Sequence, residues 1–258
     1  SLKYIKNNKI KLIVAPRGEL CKNALKLKRA KKEIYIELLK FINIKNKVIW
    51  HSTSNEETMQ ICNKLNICKK NIKQVEVLPT NVINNENKTF KKEKELKCVF
   101  ISRICEKKNL LSAIKYVKSA NPDITLDIYG FIEDTKYWEK CKKEIGDLKR
   151  IKYCGELESN RVISTFSKYD LFLFPTYSEN YGHVIAEAMM GGCPVLISNQ
   201  TPWNDIKKEN AGFVVKLGNG KEFIDTLNMV YDMSPFEYDK LQRNCKKYIE
   251  RKIDYSRI

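Results

Sequence analysis

The sequence predicts an α/β protein built on parallel sheets, in two parts. Apolar runs of strand length alternate with helix-period segments almost from end to end, the pattern of βαβ units with right-handed crossovers. One stretch breaks the pattern. Residues 84–95, NNENKTFKKEKE, are polar, charged and poor in apolar side chains, and read as a connector. A chain of 258 residues can hold one large or two small domains.

The elements follow in order. In 1–84, strands are expected at Lys11–Ala15, Lys47–His51 and Gln74–Leu78, and helices at Ala30–Asn43 and Asn55–Leu65. A sheet of three short strands leaves apolar surface uncovered, so this part reads as a partial α/β domain. A linker occupies 85–95. In 96–234, strands are expected at Lys97–Ser102, Ile124–Tyr129, Ile151–Cys154, Leu171–Phe174, Val195–Ser198 and Gly212–Val215. Helices alternate with them at Lys108–Ser119, Thr135–Ile145, Ser159–Ser167, Tyr181–Met190, Pro202–Lys208 and Lys221–Met233. A last helix, Pro235–Lys252, falls in 235–258.

Composition excludes several classes. Apolar content of 43% with 31% charged residues is that of a globular domain. No apolar run reaches the roughly 20 residues that span a bilayer, and the N-terminus carries no signal-peptide pattern. The nine cysteines are odd in number and form no Cys-x-x-Cys pair, which argues against a disulfide framework and a zinc site and fits a reducing cytosol. Cys98, Cys154 and Cys193 lie in apolar runs and read as small core residues. The net charge of +17 favours acidic partners such as anionic membrane surfaces or phosphorylated substrates. No nucleic-acid-binding signature accompanies it, so nucleic acid ranks behind those partners.

The most informative stretch is 175–192, PTYSENYGHVIAEAMMGG. A buried strand ends at Pro175, a polar loop holds Glu179 and Asn180, and a short helix follows Gly182 and closes at Gly191-Gly192. A helix start at a strand's carboxyl end offers unpaired N–H groups and a positive dipole end, which together hold phosphate. Asn180 reads as the N-cap, and Gly182 permits close approach of a ligand to the backbone. Glu187 falls about 7 Å along the axis from Gly182, at about 1.5 Å per residue, and leans back towards the helix start. That suits a carboxylate accepting from ribose hydroxyls while a diphosphate sits at the helix tip. The same spacing also fits a surface helix with two solvated glutamates. Earlier, in ISRICEKKNLLSAIKYVK (101–118), Arg103 and Lys108 flank the turn after a strand. They can grip phosphate, Arg103 bidentately and Lys108 as a point charge. Lys107 is the alternative cation.

At these residues the chain resembles the retaining GT-B glycosyltransferases, most closely glycosyltransferase family 4, also called glycosyl transferases group 1. The resemblance rests on Glu179-x₇-Glu187, the preceding Pro-Thr-x-Ser, the following Glu-Ala-Met-x-x-Gly, and then Cys-Pro-Val. It continues in QTPWND (200–205), Ala211-Gly212-Phe213 and Arg103-x₄-Lys108. About 97–232 is similar to a complete, Rossmann-like, nucleotide-sugar-binding domain. Residues 1–84 resemble only the later part of the family's N-terminal, acceptor-side domain, at Pro16-Arg17-Gly18, His51-Ser-Thr-Ser54-x-Glu56 and Leu78-Pro79-x-Asn81-Val82. The last helix is expected to pack back on that part.

The resemblance implies transfer of a sugar from UDP or GDP to a polysaccharide or lipid-linked acceptor, with retention and without a metal or other cofactor, on the cytosolic face of a membrane. Arg103 and Lys108 would neutralise the leaving diphosphate, and Glu179 would contact the sugar near its junction with phosphate. Glu187 would bind the ribose. Asn180, Tyr181, Gly182 and His183 would present groups to sugar and phosphate, Gly130, Gly155 and Glu156 would lie near the base, and Thr201 near the diphosphate. Trp50 and Trp203 read as packing residues, and His51 as structural. Two readings stay open beside this one: a non-catalytic nucleotide-sugar-binding module, and a basic protein that binds nucleic acid or anionic lipid through charge alone.

Overall fold

The computed structural model describes residues 12–17, 20, 33–34, 36–38, 40, 48–53, 55–75 and 91–255. The chain divides into two compact units, Ser1–Val77 and Leu78–Ile258. The division comes ahead of the stretch expected to link them.

The first unit holds three parallel strands in the order β1 (Leu12–Val14), β2 (Val48–Ser52), β3 (Ile72–Gln74). Alternation along β2 turns Val48, Trp50 and Ser52 inward. Helix α1 (Asn55–Leu65) brings Ile61 and Leu65 into one core with Trp50, Ile67 and Ile72. Its first turn is fastened by Glu57, whose Oε2 accepts from the Thr53 N–H at 2.8 Å and the Thr53 hydroxyl at 3.0 Å. The third strand lies earlier than Gln74–Leu78, because pairing of Ile72 with Trp50 buries Ile72. Most of Ala30–Asn43 lies outside the described residues, although those described within it are helical. Gly18, Ser54 and 78–82 also lie outside them.

The second unit is a six-stranded, wholly parallel sheet in the order β6-β5-β4-β7-β8-β9. The strands are β4 (Leu96–Ile101), β5 (Ile124–Tyr129), β6 (Ile151–Tyr153), β7 (Leu171–Phe174), β8 (Val195–Ser198) and β9 (Phe213–Val215). Every residue of the central strands β7 and β8 is buried, as expected for a parallel sheet covered on both faces. The helices are α2 (Leu110–Ser119), α3 (Thr135–Ile145), α4 (Val162–Phe166), α5 (His183–Met190), α6 (Gly220–Asp232) and α7 (Pro235–Tyr255). Pro202–Lys208, expected as a helix, is instead a 3₁₀ turn over Asn204–Lys207. Strand order turns back between β4 and β7, and a doubly wound sheet opens its crevice at that switch point, beyond the strands' carboxyl ends.

Two stretches at the borders of the second unit are fixed by it. Of residues 91–95, which belong to the second unit, Lys91 is buried and 92–94 are exposed. Lys91 donates to the carbonyls of Tyr231 (3.0 Å) and Met233 (3.1 Å) at the end of α6, where orphan carbonyls and the dipole favour a cation. The last helix starts with a capping box in which Ser234 and Glu237 bond reciprocally. It then sends Tyr238, Leu241, Cys245, Tyr248 and Ile249 into the second unit's core. Of the three cysteines expected inside, Cys98 and Cys193 are fully buried, with thiols pushed up by burial, whereas Cys154 is exposed just past the edge strand β6.

Candidate functional site

The loops after β4 and β7 bracket the switch point, and they carry a closely joined, nearly buried ion pair. After β4, a 3₁₀ turn at Glu106–Lys108 ends on Asn109, whose left-handed backbone (φ 58°) redirects the chain into α2. Asparagine tolerates that conformation. Its buried amide donates to the Pro175 carbonyl at 2.8 Å, tying the β4 loop to the end of β7. Lys108 thereby meets Glu179 across the crevice. Its Nζ lies 2.6 Å from Glu179 Oε1, with both side chains nearly buried at 11% and 10% exposure, and 5.6 Å from the centre of the Phe174 ring. Thr176 also donates to Glu179 Oε1, at 3.1 Å. Lys107, the alternative cation, contributes only its carbonyl, which accepts from Tyr177 N at 3.0 Å.

The helix beyond is entered through Gly182, not Asn180. Gly182 sits at φ 80° as the N-cap of α5 and its carbonyl accepts from Ile185 N at 2.8 Å. A Cβ there would lie 2.9 Å from Ile185 Cδ1 and 3.4 Å from Trp203 Nε1, so both backbone angle and space call for glycine. The Trp203 indole is 1% exposed and donates to the Tyr181 carbonyl, which fixes the approach to the helix. Trp203 is thus a packing residue with a polar handle. The Tyr181 ring meets the rings of Trp203 and of His183, the latter exposed at the helix start. Thr201 is buried, and its hydroxyl accepts from Trp203 N at 3.3 Å, closing the turn that seats the indole.

Glu187 stands one turn into α5. Among the described residues its carboxylate has no hydrogen-bond or ion-pair partner, and burial alone holds it above the usual carboxylate range. An unpaired, half-buried carboxylate facing no cation is a group set up to accept from neutral donors.

On the other side of the switch point, Arg103 follows β4, exposed, and pairs with Glu133 at 2.7 Å. The structure therefore brings Lys108 and Glu179 together and holds Arg103 through a separate ion pair. Gly130 directly follows β5, and its N–H donates to the Gly155 carbonyl at 2.8 Å, with Glu156 exposed beside it. A Cβ on Gly130 would fall 1.8 Å from the Ser102 carbonyl oxygen. Gly130→Ala is therefore expected to lower stability by about 3 kcal/mol, through backbone strain (φ 144°) and overpacking. A urea midpoint matching the unsubstituted protein's would refute that.

The sequence reading missed Asn109 and the hydroxyl of Thr176 as parts of this assembly. Asparagine after a lysine-rich turn is a signal for a left-handed residue, but its amide's reach to Pro175, 66 positions on, is not readable locally. Among the described residues, no three His, Cys, Asp or Glu side chains gather into a metal-holding group, and no helix is long and apolar enough to cross a membrane.

Comparison with known proteins bears on the family and the fold. A Bacillus subtilis (strain 168) poly(glycerol-phosphate) alpha-glucosyltransferase is 36% identical over 111 residues, covering 39% of this chain and 15% of that protein. The Streptococcus agalactiae UDP-N-acetylglucosamine–peptide N-acetylglucosaminyltransferase GtfA subunit is 25% identical over 198 residues, covering 66% of this chain and 38% of that protein. The chain thus spans well under half the length of either relative. Anabaena HepE, solved in complex with UDP and glucose, superposes with a TM-score of 0.73 at 14% identity, over 97% of this chain and 72% of that one. The fold is of GT-B type, a Rossmann-like domain with a parallel sheet plus a partial α/β domain. The sequence profile described as glycosyl transferases group 1 matches residues 81–252, two-thirds of the chain, and the chain belongs to that family.

Proposed function

We propose that this chain is the donor-binding part of a retaining glycosyltransferase. It would move a sugar from UDP or GDP to a polysaccharide or lipid-linked acceptor at the cytosolic face of a membrane, its basic surface drawn to anionic headgroups. The observation that carries the proposal is the nearly buried Lys108–Glu179 pair at the switch point, next to the N-terminus of α5 and its unpartnered Glu187. Relatives and neighbours of this chain use or bind UDP or UDP-sugars by name, which supports the donor class.

The chemistry follows from charge. As the bond from the anomeric carbon to phosphate stretches, negative charge grows on the diphosphate oxygens. Donors already aimed there lower the barrier most. In this proposal Lys108 exchanges Glu179 for the diphosphate, and the freed Glu179 carboxylate takes sugar hydroxyls. Arg103 moves from Glu133 to a phosphate oxygen, and the N–H groups opening α5 complete the anion site. Glu187 takes the ribose hydroxyls. The departing phosphate deprotonates the acceptor on the same face, so configuration is kept. These cations and dipoles carry the charge that a metal carries elsewhere.

A thermal-shift panel of UDP, GDP, ADP and their sugars tests the reading. A saturating uridine or guanine nucleotide is expected to raise Tm by about 5 °C and ADP by less. Glu187→Ala is expected to remove the shift. No response to any nucleotide would overturn the donor assignment. A shift that survives Glu187→Ala but collapses with salt would point to binding by charge alone.

A further inference from the structure

We propose that Thr176 is a positioning residue that holds Glu179 in place when Lys108 turns to the diphosphate. The inference rests on the donor site proposed above and assigns that site a residue with no contact to substrate.

Thr176 is fully buried, directly after the proline that ends β7. Its hydroxyl has one proton and faces two acceptors at the same distance, the Lys107 carbonyl at 3.1 Å and Glu179 Oε1 at 3.1 Å. The Ser178 carbonyl lies farther, at 3.4 Å. Thr176 is itself fixed, because its carbonyl accepts from the Ser198 hydroxyl on β8 at 2.6 Å. Lys108 and Thr176 meet Glu179 on the same oxygen, so among the described residues Oε2 is left for another donor.

While Lys108 holds Glu179, the Thr176 proton can serve either acceptor at little difference. When the ammonium leaves for phosphate, Glu179 loses its cation in a nearly buried setting, where an unpaired charge is costly. The Thr176 proton then turns fully to Glu179 Oε1 and keeps the carboxylate in register, with Oε2 presented to the sugar. A hydroxyl with two matched acceptors allows this without moving the backbone.

The test compares Thr176→Val, which keeps the volume and removes the hydroxyl, with Thr176→Ser, which keeps the hydroxyl. The probes are UDP and UDP-glucose, or GDP and GDP-mannose if the guanine nucleotide gives the larger shift. Thr176→Val is expected to bind the bare nucleotide like the unsubstituted protein and the nucleotide sugar about tenfold more weakly, the loss of one bond to a charged group. Thr176→Ser is expected to restore sugar-nucleotide binding. In a Glu179→Ala background, Thr176→Val is expected to change nothing further. Unaltered sugar-nucleotide binding by Thr176→Val, failure of Thr176→Ser to restore it, or an equal penalty in the Glu179→Ala background would each overturn the proposal and leave the donor site standing. Should Thr176→Val not fold, Thr176→Ala takes its place in the same cycle. Absence of all nucleotide binding in the unsubstituted protein would remove the donor site and this inference with it.

Discussion

Lys108→Ala is expected to cut sugar transfer by a factor of about 100 to 1,000, the loss seen when one preorganised donor to a developing oxyanion is removed. Donor hydrolysis or transfer to a supplied acceptor measures it. The same substitution is expected to lower folding stability by about 3 kcal/mol, because Glu179 is left as an uncompensated charge in a nearly buried place. The two effects separate in the double variant. Lys108→Ala with Glu179→Ala removes both charges, so stability is expected to return towards that of the unsubstituted protein while turnover stays low. Lys107→Ala is the control: its carbonyl, which the substitution keeps, makes the bonds to Tyr177 and Thr176. It is expected to change neither quantity appreciably. A Lys107→Ala variant as impaired as Lys108→Ala would mean that general positive charge, not the pair with Glu179, supports the reaction. A stable, active Lys108→Ala variant would remove the central cation from the mechanism.

The parallel sheet was legible because its signal is local. Ile124–Tyr129, Leu171–Phe174 and Val195–Ser198 are short apolar runs with turn residues or polar breaks close by, and each is a strand as expected. Helix starts were less legible, since they depend on one backbone angle. Nothing in Asn180-Tyr181-Gly182 says that glycine takes the left-handed turn and that the helix waits for His183. The 3₁₀ turn at Asn204–Lys207 has too few residues to separate a three-residue period from 3.6. Of the site, the residue types and their placement at strand ends could be read. Their pairing could not. Arg103 and Glu133 are 30 positions apart, Lys108 and Glu179 are 71 apart, and only the folded sheet decides which carboxylate each cation meets. The burial of Lys91 within the expected linker is hidden for the same reason, because its partner carbonyls lie 140 and 142 positions away.

Glu187→Gln is expected to weaken nucleotide binding while strengthening the empty protein. The half-buried carboxyl of Glu187 is held above the usual range by desolvation, with no cation among the described residues to offset it. The folded state therefore keeps its proton at pH values where the unfolded chain has lost it. Below the unfolded pKa, about 4.3 for glutamate, both states are protonated and the burial carries no penalty. As pH rises through the higher folded value, the charged form must be accommodated and stability is lost. Glutamine has no such dependence. The variant should thus unfold at higher temperature than the parent near neutral pH, and at the same temperature near pH 4. Binding should move the other way. A carboxylate accepts from both ribose hydroxyls with charge-assisted bonds, whereas the amide offers one neutral acceptor, so affinity for the nucleotide should fall about 30-fold for Gln and about 100-fold for Ala. Thermal unfolding across pH, with and without nucleotide, reads both effects in one experiment. A Gln variant that binds as tightly as the parent would release Glu187 from ribose recognition. One that gains no stability at neutral pH would show that the carboxylate is solvated in the empty site, and would remove the physical reason for assigning it a ligand.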